Sequence, residues 1–211
     1  MLMTKQEAVL ISIRPEWCEK IVNGKKTIEV RKTRPKLETP FKCYIYCTKY
    51  AKKQFWTGPK YSYTDDHSHN AFDKCGNGKV IGEFVCNGIK YFNFEESEWA
   101  YSVAPPGSDM PMHESEALKL CYKDGCLNDN DMLSYFGDEA WKAYFWHISN
   151  LKIYDTPKEL SAFYRTCPGL NDVGMCWACD KAVGEEHDCG VNGEVHLSRP
   201  PQSWCYVYEN N

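Results

Sequence analysis

Asn23-Gly24-Lys25-Lys26-Thr27-Ile28-Glu29-Val30-Arg31 places a turn glycine ahead of a short run in which apolar and polar residues alternate. Successive side chains of an extended strand point to opposite faces. Ile28 and Val30 are therefore expected in a core, with Thr27, Glu29 and Arg31 sharing the other face. Lys26, in the turn before the strand, comes within reach of Glu29, whose carboxylate can accept charge-assisted hydrogen bonds from a cation or from a ligand amine. On a solvated edge strand the same residues would form only a surface ion pair, worth about 0–1 kcal/mol.

The preceding sequence fixes the setting of this run. Ala8–Ile13 is an apolar stretch of strand length, and Pro15 suits the first turn of a helix. Trp17, Cys18, Ile21 and Val22 then recur at helical spacing until Asn23-Gly24 stops the helix. The order is strand, short helix, glycine turn, strand. This order, with the G-x-K-x-x-E-x-R spacing of Gly24, Lys26, Glu29 and Arg31, resembles the signature of ASCH domains, the PUA-like small β-barrels. In appearance it is most similar to the phage- and prophage-encoded ASCH proteins of Gram-positive bacteria.

Other segments fit such a barrel. Phe41–Thr48 alternates as a strand does, Lys79–Cys86 follows a glycine turn, and Trp204–Tyr208 is suited to a closing strand. The expected fold class is α+β, a PUA-like (ASCH) small mixed β-barrel flanked by short helices, with inserted loops and a cysteine-rich segment able to hold zinc. Residues 1–211 are read as one such domain, with insertions at about 50–78, 92–145 and 167–198. Within the second insertion, Asp138–Trp146 reads as a helix whose Trp141 and Phe145, four apart, pack a core. His113 and His147 are expected at the surface or the core edge. His67 and His69, beside Asp65 and Asp66, sit in a polar loop with no enforced ligand geometry.

No segment resembles a signal peptide, and the apolar run at Ala8–Ile13 is far too short to cross a membrane. The expected location is the cytoplasm of a bacterial host cell. Reducing compartments keep thiols reduced, so the 12 cysteines need burial or metal rather than disulfides to account for them. Cys18, Cys43, Cys47, Cys86, Cys121 and Cys205 have apolar or aromatic neighbours and read as small core residues. Cys75 and Cys126 lie in glycine-flanked loops. Cys176-Trp177-Ala178-Cys179 is a C-x-x-C knuckle, and a second pair of thiolates would complete a tetrahedral Zn²⁺ site. The chosen set is Cys167, Cys176, Cys179 and Cys189, with His187 as the substitute ligand, and such a closed site would be structural.

Charge narrows the choice of partner. Residues 1–60 hold 14 Lys and Arg against 5 Asp and Glu, whereas the remainder holds 11 against 24. A basic N-terminal third can attract phosphate, while the acidic remainder would repel a long nucleic-acid track. Tyr44, Tyr46 and Thr48 alternate on one strand face, and Trp204 follows Pro200-Pro201-Gln202-Ser203. Aromatic planes can stack on unpaired bases, and Gln202 and Ser203 can read a base edge. Trp17 is expected in the barrel core.

The leading expectation is a module that binds RNA, a nucleotide or a modified base in a cleft floored by the opening motif. Arg14 and Arg31 would contact phosphate, Lys26, Thr27 and Glu29 would fix a polar group, and Tyr46 or Trp204 would stack. The resemblance also implies an enzymatic alternative, since some small bacterial ASCH-like proteins hydrolyse N4-acetylcytidine with a lysine, a threonine and a distant glutamate. Lys26 matches that lysine. Glu29 stands at the threonine position, and a carboxylate there changes the chemistry. If the protein is an amidohydrolase or a ribonuclease acting on modified nucleosides or RNA, Lys26 and Glu29 are the catalytic candidates. The phage-like resemblance implies a third role, a counter-defence protein that binds a host protein or sequesters a signalling nucleotide.

Overall fold

The computed structural model describes residues 7–50, 52–55, 57, 75–95, 112–137, 141–167, 175–176, 181–182 and 194–209. Its described elements run, in chain order, β1 (Ala8–Ile13), α1 (Pro15–Val22), β2 (Ile28–Arg31), β3 (Phe41–Cys47) and β4 (Val80–Asn93). α2 (Glu114–Lys119), a π-helical turn (Leu120–Asp124), α3 (Asp129–Phe136) and β5 (Lys142–Lys158) follow. A 3₁₀ turn (Leu160–Ala162), β6 (Phe163–Thr166), β7 (Met175–Cys176), β8 (Lys181–Ala182), β9 (Glu194–His196) and β10 (Trp204–Glu209) complete them. Strands with few and short helices make this an α+β fold. Among the described residues no helix is long and apolar enough to cross a membrane.

The chain divides into two compact units, and β3, β4 and β5 each contribute to both. The first comprises Met1–Pro15, Tyr44–Gly82 and Tyr154–Asn211. Here β1 pairs antiparallel with β10, in the register Ala8 opposite Val207 and Ile11 opposite Trp204. β10 continues to β6, and β6 to β9. Leu10, Tyr44, Tyr46, Val80, Phe163 and Val207 share its core.

The second unit comprises Glu16–Cys43 and Glu83–Ile153. β2 pairs antiparallel with the first half of β5, with Ile28 opposite His147, Glu29 opposite Trp146, Val30 opposite Phe145 and Arg31 opposite Tyr144. β4 and β3 follow in that order. Ile28 and Val30 point into a core with Phe92, Cys121, Ala143 and Phe145, as alternation requires. Both α2 and α3 supply residues to this core, so part of the stretch read as the 92–145 insertion packs β2 from below. Two side-chain caps start these helices: His113 Nδ1 accepts from the Ser115 N–H, and Asn128 with Asp131 forms a reciprocal capping box.

The helix expected over Asp138–Trp146 is a strand from Lys142 onward; residues 138–140 lie outside the described set. Trp141 and Phe145 are compatible with a helical period of four, but 142–147 also alternates Ala143 and Phe145 against Tyr144 and Trp146. Aromatic residues suit a pleated surface, and the ladder to β2 selects the strand. The expected role survives the change of element, because Phe145 is 1% exposed and Trp146 is fully buried. His147 lies exposed on the same strand, with Nδ1 2.6 Å from Asn87 Oδ1.

α1 ends as Asn23-Gly24 demands. The Gly24 N–H donates to the Ile21 carbonyl at 2.9 Å and the Lys25 N–H to the Lys20 carbonyl at 2.9 Å, with Gly24 at φ +68°. These are the paired bonds of a Schellman motif, which needs a left-handed residue after the cap. The turn reverses the chain tightly enough to set Lys26 beside β2. A Cβ at Gly24 would meet nothing within 4 Å, so only backbone conformation demands glycine there. Gly24→Ala is expected to cost about 1–2 kcal/mol, measured as a lowered urea midpoint with an unchanged slope.

Candidate functional site

The motif residues of β2 are buried on both faces. Beneath Ile28 and Val30 lies the apolar core; on the opposite side Lys26 is 3%, Glu29 6% and Arg31 8% exposed. The solvated ion pair that the sequence allowed is therefore replaced by a desolvated triad. Glu29 Oε1 lies 2.9 Å from Arg31 Nε, and Oε2 lies 3.4 Å from Lys26 Nζ. Oε2 is buried and accepts no hydrogen bond among the described residues, which leaves an acceptor available inside the site. The triad carries one surplus positive charge.

Lys26 is held from the far side of the sequence. Its ammonium donates to the Gly125 carbonyl at 2.8 Å, across 99 residues. The Thr27 N–H donates to the Asp124 carbonyl at 2.9 Å, and the Ile148 N–H donates to the Thr27 carbonyl at 2.9 Å. The turn before β2 is thus fastened to β5 on one side and to the end of the π-helical turn on the other. Gly125 fits where a larger residue would not: a Cβ there would lie 2.8 Å from the Cys121 carbonyl oxygen and 3.1 Å from Val30 Cγ2. The first contact is within the packed segment and the second is with β2 itself.

A tryptophan flanks the lysine. Trp17 is half-buried rather than in the core where the sequence placed it, and its ring centroid lies 5.5 Å from Lys26 Nζ and 4.1 Å from Lys20 Nζ. Helical spacing brings Lys20 back over Trp17 one turn later, and an ammonium over an indole face is attracted to it. Lys20 Nζ also donates to the Cys126 carbonyl at 3.0 Å.

The surroundings of the triad are poor in water. Burial pushes the Cys43 thiol well above its ordinary value, Cys86 and Glu29 add to the rise, and Arg31 opposes it. Burial lifts Cys121 to about 12 against the pull of Lys26, and Cys86 to about 11. Tyr135, on α3, is exposed at its surface, yet its hydroxyl is raised chiefly by desolvation, with Arg31 opposing and Glu29 adding. These thiols are neutral packing groups, as the sequence indicated for Cys18, Cys43, Cys86 and Cys121, each of which is fully buried.

Of the residues proposed from sequence, the structure brings Lys26, Glu29 and Arg31 together. Thr27 joins through its backbone while its side chain is exposed. Arg14, Tyr46, Gln202, Ser203 and Trp204 belong to the other compact unit. Arg14 and Gln202 are exposed there, and the Ser203 carbonyl accepts from the Ser12 N–H at 2.9 Å. Trp204 is half-buried with its ring edge-on to Tyr206 at 5.5 Å. Tyr46 offers no open ring face, being 3% exposed in the core beside Tyr44 and Phe163. All of β3 from Cys43 to Cys47 is buried, so the alternation of its aromatics does not mark a solvent-facing side.

Lys20, Gly125, Cys126 and Tyr135 were missed by sequence reasoning. Lys20 was legible in principle, three residues after Trp17 on the predicted helix. The others come from a segment about a hundred residues away whose approach to β2 no local pattern announces. Cys179, Cys189 and His187 lie outside the described residues, as does the Asp65–His69 loop; Cys167 is buried. Among the described residues no group of three or more His, Cys, Asp or Glu side chains is placed to hold a metal ion.

Residues 11–105, a little under half of the sequence, match the family model of the ASCH domain. The chain is similar to the crystal structure of the ASCH protein of Zymomonas mobilis, at 17% identity and a TM-score of 0.44, over 72% of this chain and 73% of that one. A crystal structure of a mutant of the same protein aligns over 97% of this chain and 90% of that one, at 16% identity and a TM-score of 0.44. No curated protein matches the sequence.

Removing one member of a buried charge cluster leaves the others uncompensated, at about 3–5 kcal/mol. Glu29→Gln keeps the shape and leaves Lys26 and Arg31 facing each other without a carboxylate. It is expected to lower the unfolding free energy by about that amount in chemical denaturation; an effect below 1 kcal/mol would show that the triad is solvated.

Proposed function

We propose that this protein binds RNA, a nucleotide or a modified base at the Lys26–Glu29–Arg31 triad. RNA binding is the general expectation for an ASCH domain of the PUA-like class. The observation that carries the reading is the burial of two cationic side chains around one carboxylate. Withdrawing charges from water costs several kcal/mol per ion, and apolar residues would fill the same space at least as stably. A ligand whose edge presents both donors and acceptors makes use of that arrangement. Glu29 Oε2 accepts from a base N–H, Lys26 and Arg31 donate to carbonyl or phosphate oxygens, and the Trp17 indole shields the lysine from water.

The catalytic alternative has less support. Lys26 Nζ is already engaged by the Gly125 carbonyl at 2.8 Å and by Glu29 at 3.4 Å, so as a base it would have to serve its substrate alongside both partners. We therefore assign Lys26 and Glu29 to binding, with amidohydrolase or ribonuclease chemistry as the outcome that would displace this assignment. A role as a phage counter-defence protein acting in a bacterial cytoplasm is compatible with a nucleotide site, which would sequester a signalling nucleotide. The acidic remainder of the chain would be its protein-facing surface.

Titration with short RNAs and with the four ribonucleotides is expected to give saturable binding that weakens at least tenfold in Lys26→Ala, about 1.4 kcal/mol. No binding of any of them would overturn the proposal. Incubation with N4-acetylcytidine and with RNA, followed by mass spectrometry, is expected to return both intact.

We further propose a structural zinc ion held by Cys167, Cys176, Cys179 and Cys189, with His187 as the alternative to one of the thiolates. The support is spacing: a C-x-x-C pair grips one ion through a turn, and the flanking cysteines supply the remaining two positions. Elemental analysis of protein purified without added metal is expected to find one zinc per chain, and to find less than half that in a Cys176→Ser, Cys179→Ser double variant.

A further inference from the structure

Lys20 carries a charge to which the triad gives no role. Its ammonium lies 4.1 Å from the Trp17 ring centroid and donates to the Cys126 carbonyl at 3.0 Å. Lys26 lies 5.5 Å from the same ring and donates to the Gly125 carbonyl at 2.8 Å. One indole and two consecutive carbonyls hold both ammonium groups as neighbours. Lys26 has Glu29 as its counter-charge. Lys20 has none among the described residues; Glu16, one turn earlier on α1, forms no ion pair with it.

An ammonium has three N–H donors, and the carbonyl takes one of those of Lys20. Lys20 thus adds a second ammonium beside Lys26, and no carboxylate pairs with it among the described residues. Neighbouring like charges repel, and half-burial of Lys20 strengthens that repulsion relative to bulk water. The arrangement is relieved by an anion carrying up to two negative charges and several acceptor oxygens. Arg31 Nε lies 2.9 Å from Glu29 Oε1, and Arg14 belongs to the other unit.

We infer that Lys20, together with Lys26, binds a nucleotide phosphate whose base is held at the triad. The inference rests on the triad being a nucleotide site and extends it, because it makes the ligand phosphorylated rather than a free base or nucleoside. The phosphate is either a terminal monoester or the diester of an RNA chain, and both present oxygens to the two ammonium groups.

The test is calorimetric titration of the wild-type chain, Lys20→Met, Lys20→Arg and Lys26→Met. The probes are the four ribonucleosides, their 5′-monophosphates, and dinucleoside monophosphates, which carry only an internal diester. A charge-assisted hydrogen bond contributes about 1.5–3 kcal/mol, so for at least one base a phosphorylated probe is expected to bind tenfold or more tighter than its nucleoside. Lys20→Met is expected to erase that advantage while leaving nucleoside affinity within twofold, and Lys20→Arg to keep most of it. The arm that shows the Lys20-dependent gain identifies the terminal or the internal phosphate as the ligand. An undiminished advantage in Lys20→Met would overturn the inference and leave the triad reading intact. No binding of any probe by the wild-type chain would overturn both, whereas loss of every probe in Lys26→Met alone supports the triad. Thermal melting of each variant establishes that it is folded, and Lys20→Gln replaces Lys20→Met if that variant is not.

Discussion

Glu29 is a carboxylate withdrawn from water between Lys26 and Arg31, and much of the surrounding structure follows from the need to keep it paired. A lone carboxylate at that depth would be untenable. Arg31 reaches it because strand alternation puts residues two apart on one face. Lys26 reaches it because the Schellman turn at Gly24 brings the chain back beside β2, and because the Gly125 carbonyl fixes the ammonium. The glycine at position 125 in turn allows the loop to approach Val30. The motif is thus a short stretch of sequence whose geometry depends on a helix cap before it and on a loop about a hundred residues later.

The same dependence explains what the sequence revealed and what it withheld. β1, α1 and the turn at Gly24 were legible because each has a local cause: an apolar run, a proline at the first helical position, and a glycine at a positive φ. The pairing of Lys26 with Glu29 was legible from spacing alone. Its burial was not, since a charged strand reads as solvated until the segment covering it is known. That cover comes from α2, the π-helical turn and α3, within a region that sequence reading treated as an insertion. Trp141 and Phe145 misled for a related reason: a spacing of four satisfied a helical period, while the ladder between β5 and β2 was invisible locally. Tyr46 shows the converse error. Its alternation with Tyr44 and Thr48 suggested an open face, yet β3 is covered on both sides.

The position of Trp17 changes how the site is understood. In a core it would only have filled volume; half-buried, it lies against two ammonium groups. Cationic groups near a low-dielectric wall interact more strongly with an incoming anion than they would at an open surface. The basic N-terminal third therefore contributes a specific cluster of Lys20, Lys26 and Arg31 rather than a diffuse positive field. The thiols around this cluster, lifted by burial, remain neutral and do not compete for its charges.

The most direct measurement is a crystal structure of the protein grown with a nucleoside 5′-monophosphate. The account predicts a base hydrogen-bonded to Glu29 and Lys26, on the side of the triad bounded by Trp17. A ligand bound elsewhere, with Lys26, Glu29 and Arg31 contacting only one another, would contradict it.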